Sequence, residues 1–238
     1  MARIVKSSLV SSVSKSYYLC ELRIILYILI ALAGAVFAIF TYGISLIALL
    51  FLLRIRRERT QMLLFKHGLK GEAATTAVLR GLPGWYYLCP DVTIQTGSAR
   101  AQMDHVVVGP NGVFVVETKN HVGVISGDDE DYKLLQTKKN DSGGCGRRFY
   151  SPMRQVTTHA NVMTRYLKEL GFQVKAQGIV YFSHPKTKVR VHSFEIPVFS
   201  ARKGGKRKLL RYIKRGGVWR SLSRNECKLI VRAIANQR

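Results

Sequence analysis

The sequence predicts an α/β fold: a small mixed central sheet flanked by helices and preceded by one transmembrane helix. Three observations carry that expectation. Residues 24–53 contain no charged residue, Val-rich runs flank the turn Gly109-Pro110-Asn111-Gly112, and helical spacing of apolar residues follows Pro152. With 238 residues there is room for one ordinary domain and an appendage.

The uncharged run supplies the appendage. At about 1.5 Å per helical residue it outreaches a hydrocarbon core of roughly 30 Å, and it is too long for the apolar region of a cleaved signal peptide, about 7 to 15 residues. It reads as an uncleaved anchor at 24–53, behind a short tail at 1–23. Two spans would need about 40 apolar residues, so Tyr42-Gly43 reads as a kink rather than a loop. Arg54, Arg56, Arg57 and Arg59 crowd the C-terminal end of the run. That bias places the C-terminal part in the cytoplasm, in a single-pass cell-membrane protein. Cys20, Cys89, Cys145 and Cys227 are widely spaced and suggest neither a disulfide framework nor zinc.

The formal net charge of +24 implies anionic partners, either nucleic acid or acidic lipid. Residues 201–238 form a basic C-terminal segment and helix. Arg202, Lys203, Lys206, Arg207, Lys208, Arg211, Lys214 and Arg215 are its candidate nucleic-acid contacts. The bland reading, weighted equally, is a solvated tail held near an anionic membrane.

Along the soluble part, residues 54–67 read as a basic juxtamembrane linker or helix. The helix is interrupted near Gly68, resumes, and closes at residues 81–84. A strand follows at 86–94, where Pro90 suggests an edge or a bulge. The turn at 109–112 then joins an antiparallel hairpin. If it closes symmetrically, Val108 faces Val113, Val107 faces Phe114, Val106 faces Val115 and His105 faces Val116. Asp104 then falls opposite Glu117. Side chains alternate along a strand, so Asp104, Glu117 and Lys119 project from one end of an apolar face, and His105 points away.

Carboxylates about 5 Å apart, Cβ to Cβ, require a compensating cation. Lys119 offers part of it, and a hard divalent ion, Mg²⁺ or Mn²⁺, would offer the rest. The plain alternative is a strand end in which Lys119 neutralises both acids, because E-x-K is by itself a weak motif.

Farther on, 128–131 reads as a solvated acidic turn followed by a Gly-rich loop. A helix runs from Pro152 to near Gly171 with Ser151 as N-cap, and Gln155, His159, Val162, Tyr166 and Leu170 share one face. Strands follow at 177–183 and 195–200. A last helix after Ser223 has Glu226 completing a capping box and Cys227, Ile230, Val231 and Ile234 as its core stripe. There is no Ser-His-Asp signature, phosphate-cradling loop or dinucleotide fingerprint. No histidine is given a catalytic role.

The runs "GEAATTAVL", "MDHVVVGPNGVFVVETKN", "GVISGD" and "SPMRQVTTH" together resemble the nuclease-related domain family, NERD, itself similar to the PD-(D/E)XK nucleases. The resemblance covers residues 68–200 and implies a restriction-endonuclease-like core. It implies Glu72 as a helix-borne acid, Asp104 and Glu117 as the metal-binding pair, Lys119 as the lysine of E-x-K, and Gln155 as the glutamine of the later helix. Tyr132 stands near a position where such domains often carry tryptophan. The expected activity is metal-dependent hydrolysis of DNA, with RNA as a further substrate class, and with Mg²⁺ or Mn²⁺ held by Asp104, Glu117 and the Thr118 carbonyl. The alternative expectation is a non-catalytic, membrane-tethered module that binds nucleic acid or anionic lipid.

Overall fold

The computed structural model describes residues 3–4, 12–38, 44–138, 146–216 and 221–237. The Gly-rich loop expected near 139–145, with Cys145, lies outside the described residues. The chain divides into two compact units, Leu9–Lys70 and a larger one made of Met1–Ser8 and Gly71–Arg238.

In the smaller unit, helix α1 (Ser12–Ala38) is followed by the first part of helix α2 (Ile44–Leu79). The uncharged run 24–53 thus falls partly in α1 and partly in α2. They lie side by side: the Tyr27 and Phe51 rings are 6.0 Å apart, and Arg23 Nη1 is 4.0 Å from Glu58 Oε1. Tyr17–Ala35 is long and apolar enough to cross a membrane, and Leu22 and Leu32 are about 60% exposed, at 62% and 60%.

Helix α2 runs unbroken through Gly68, where the sequence suggested an interruption. One helical glycine costs only about 1 kcal/mol, which the flanking strong helix formers offset.

The larger unit holds two sheets. The first has six strands: β1 (Arg3–Ile4), β2 (Tyr87–Thr96), β3 (Ala99–Gly109), β4 (Gly112–Lys119), β8 (Gln177–Phe182) and β10 (Val198–Ser200), in that spatial order. The second has four, in the order β7 (Arg147–Tyr150), β6 (Lys133–Thr137), β5 (Gly123–Asp128) and β9 (Thr187–His192). The molecule is a mixed α/β fold with two mixed sheets where the sequence suggested one. The second sheet was legible only as short strand-like pieces, and β9 was missed although Thr187–His192 alternates.

The β3–β4 hairpin closes in the expected register, with Val108 on Val113, Val107 on Phe114, Val106 on Val115 and His105 on Val116. Strand β4 then pairs in parallel with β8, which buries it on both sides. Alternation sorts the valines into two cores. Val106, Val108, Val113 and Val115 pack with α3 (Pro152–Glu169) and α5 (Arg224–Asn236) on one face. Val107, Phe114 and Val116 pack with Leu79 and Leu82 and with Leu209 and Ile213 of α4 (Gly205–Arg215) on the other. Helix α4 corrects the reading of this segment as a solvated tail, because Leu209 and Ile213, four apart, seat it on the sheet.

Helix α3 starts at Pro152 after Ser151, whose extended backbone is that of an N-cap but whose side chain accepts no cap hydrogen bond. Gly171, at φ 85°, ends it. Gly178 lets α3 approach β8 closely, since a Cβ there would lie 3.0 Å from Val156. Helix α5 has the expected capping box of Ser223 and Glu226.

Candidate active site

The site lies where the hairpin ladder stops. Beyond the pair of His105 and Val116, Asp104 takes over from the backbone: its Oδ2 accepts a hydrogen bond from Thr118 N at 2.7 Å. Asp104 is thereby locked beside β4, next to Glu117, as the symmetric turn required. His105 turns to the opposite face, where Nε2 lies 2.8 Å from Thr76 Oγ1. Burial holds it neutral, with its pKa down to about 4.

Lys119 is the hub on the Glu117 side. Its Nζ donates to Glu117 Oε1 at 2.7 Å and to Gln155 Oε1 at 2.9 Å. The first contact follows from strand alternation. The second needs α3 to cross β4 one turn after its N-terminus, which the close packing at Gly178 permits. One turn farther along α3, His159 Nδ1 lies 3.3 Å from Glu117 Oε2, close but without hydrogen-bond alignment. His159 is the residue that the sequence reading passed over. Its signal was present, because it sits four residues after Gln155 on the same face.

Glu72 enters from α2. Gly71 brings that turn against the end of β4: a Cβ on it would be 2.6 Å from Asn120 Cβ. Thr75, one turn on, accepts a hydrogen bond from Thr118 Oγ1 at 3.1 Å and fixes the helix to the strand. Glu72 lies close enough to Glu117, Asp104 and Lys119 for their charges to act on it.

The three acids are out of balance with their cations. Burial, then the charge of Glu117, pushes the Asp104 carboxyl up to about 8, against the opposing pull of the Thr118 N–H. Burial, then Asp91 and Glu117, raises Glu72 to about 7. Burial would also raise Glu117, but His159 and Lys119 outweigh it and hold that carboxyl below its usual value. One carboxylate is therefore satisfied while two stay uncompensated, a condition that an added cation relieves.

Among the described residues no group of three or more His, Cys, Asp or Glu side chains is placed to hold a metal ion. The fit for a divalent ion is that of a site with two carboxylates, Asp104 and Glu117, completed by a backbone carbonyl and water. Mg²⁺ accepts that arrangement because it usually keeps several waters.

The structure thus brings Glu72, Asp104, Glu117, Lys119 and Gln155 together. It does not add the C-terminal cations to them. Arg202, Lys203 and the six basic residues of α4 are all exposed, and α4 packs on the face of the sheet opposite to Glu117.

Residues 67–183 match the family described as nuclease-related domain. This segment is a NERD domain. The matched block contains all five of these residues and ends just before β9. A Bacillus anthracis protein described as uncharacterized is 33% identical to the chain over 136 residues, which is 53% of this chain and 59% of that relative. The chain therefore spans less than two thirds of the length of the curated relative it matches. No solved structure matches it. The NERD domain thus accounts for β2, β3, β4 and β8 of the first sheet, for α3 and for three strands of the second sheet.

Proposed function

We propose that the NERD domain is a metal-dependent nuclease of the PD-(D/E)XK type that hydrolyses phosphodiester bonds of DNA. The observation that carries this reading is the Lys119 ammonium, held between Glu117 and Gln155 beside the underneutralised Asp104. A merely structural ion pair would need neither Gln155 nor a second buried acid.

Asp104, Glu117 and the Thr118 carbonyl would hold Mg²⁺ or Mn²⁺, which supplies Lewis-acid polarisation of a phosphoryl oxygen. Gln155 keeps the Lys119 ammonium oriented on the strand face, where it stabilises negative charge developing on the phosphate. Glu72, with a carboxyl that takes up a proton near neutrality, is suited to accept one from an attacking water. His159 holds the second oxygen of Glu117. We further place the domain at the cytoplasmic face of the cell membrane, tethered through α1; the support is the apolar length of Tyr17–Ala35 and the arginines at 54–59.

A second reading is favoured by one detail: both Glu117 oxygens already face basic side chains of the protein, Lys119 and His159. In that reading the site is a closed ionic cluster, and the domain is a tethered module that binds nucleic acid without cutting it.

The deciding experiment incubates the full chain in detergent with circular and linear DNA, with Mg²⁺, with Mn²⁺ or with chelator. Asp104→Ala, Glu117→Ala and Lys119→Ala are run beside the wild type. Cleavage that requires metal and is lost in all three supports the nuclease. Retardation of DNA without cleavage, equal in wild type and variants, sinks it in favour of the binding module.

A further inference from the structure

The second sheet adjoins the site and presents one face to solvent. Strands β4 and β8, parallel neighbours, continue after short connections into β5 and β9, also parallel neighbours. Only residues 120–122 separate Lys119 from Gly123. The second sheet is therefore an extension of the first beyond the end that carries Glu117 and Lys119.

Its two faces differ. Ile125, Leu134 and Gln136 are buried, and Phe149, Val189 and Val191 pack with them toward the core. The register aligns Arg148, Leu135, Ser126 and Arg190 in one row across all four strands. Alternation then puts Lys133, Lys188 and His192 on the same outward face. Lys133, Arg148, Lys188 and Arg190 are all exposed. Among the described residues none of the four has a carboxylate partner. One acid, Asp128, shares the face, at its far end opposite His192.

We propose that this outward face is the grip for the phosphate backbone of the DNA that the domain cuts. The inference rests on the nuclease reading for the identity of the polyanion. Four strands place the β7 and β9 cations about 14 Å apart, comparable with the roughly 12 Å width of the B-DNA major groove, so Arg148 and Arg190 reach phosphates on its two walls. From Lys119 to Ser126 the chain spans at most about 23 Å. That is less than one helical turn of duplex, about 34 Å, so one duplex meets the carboxylates and the cations together. An anionic membrane would gain nothing from cations placed beside the carboxylate site. Lys188 also lines a cleft with Arg202, Lys203 and Lys208, which joins this face to the basic start of α4 and the turn before it.

The test measures binding of a fluorescein-labelled duplex to the full chain in neutral nanodiscs, in chelator, from about 50 to 200 mM salt. The pair Arg148→Gln/Arg190→Gln is compared with Lys228→Gln/Arg232→Gln, which removes the same charge from the exposed side of α5. Loss of two phosphate contacts lowers the steepness of log K against log salt by about 1.8, while the α5 pair leaves it near the wild-type value. Arg148→Lys/Arg190→Lys, which keeps the charge, retains the wild-type slope. Where metal-dependent cleavage is measurable, the glutamine pair raises KM roughly tenfold with kcat unchanged, because it removes uniform binding.

Equal slopes for the two glutamine pairs would assign the effect to bulk charge and overturn the grip. So would unchanged DNA binding accompanied by lost retention of phosphatidylglycerol vesicles. A slope change without cleavage by the wild type keeps the grip and fails only the nuclease reading.

Discussion

The two ends of the β3–β4 hairpin obey opposite rules. At the turn end, Val108 and Val113 face each other in a dry core and the ladder is regular to Gly109 and Gly112. At the other end, within five residues, the same strands bury carboxyls against one another and a side chain replaces the ladder. The apolar end supplies stability, and the acidic end draws on it to hold charges that would otherwise move apart.

That contrast can be broken from either end. The largest effect is expected at the acidic end, where Lys119→Ala lowers metal-dependent cleavage per folded molecule by about 10³-fold, as read by DNA cleavage normalised to the folded fraction from chemical denaturation. At the apolar end Phe114→Ala, in a fully buried position, costs about 3–5 kcal/mol in urea unfolding. Activity per folded molecule then stays close to the wild-type value.

A subtler separation uses pH. Asp104 ionises in the folded chain only near 8, against an ordinary value near 4. An acid with a raised folded pKa costs nothing below its unfolded pKa, and its penalty grows as pH climbs to the folded value. Metal-free protein is therefore expected to lose thermal stability between about pH 4 and pH 8. Asp104→Asn flattens that loss and melts higher than the wild type at pH 8. Divalent metal raises the melting temperature of the wild type there and not of the variant. A wild type and an Asp104→Asn variant with parallel melting curves across this range would contradict the charge imbalance.

The smallest expected effect is at His159. His159→Gln lowers kcat several-fold by loosening Glu117, with KM for DNA unchanged, because the residue acts through the carboxylate and not on the substrate. A rise in KM alone would place it in substrate binding instead.

The reach of the sequence follows the same division. Local chemistry was legible: the Gly109–Gly112 turn and strict alternation placed Asp104, Glu117 and Lys119 together. What depends on distant packing was not. Gln155 and Glu72 come from helices whose approach is set by small residues at Gly178 and Gly71, and only family resemblance named them. His159 stood on the right face but carried no mark that distinguished it from a buried boundary residue. In α4 the density of Lys and Arg concealed the Leu209 and Ile213 contacts that make it part of the core.

The hydrogen bond from Thr118 N to Asp104 has a practical consequence. Because this backbone amide donates directly to the acid whose charge is in question, its proton resonance follows the charge of the carboxylate. A single nitrogen-15 label at Thr118 would read out protonation, cation arrival and phosphate approach in solution, with no turnover needed.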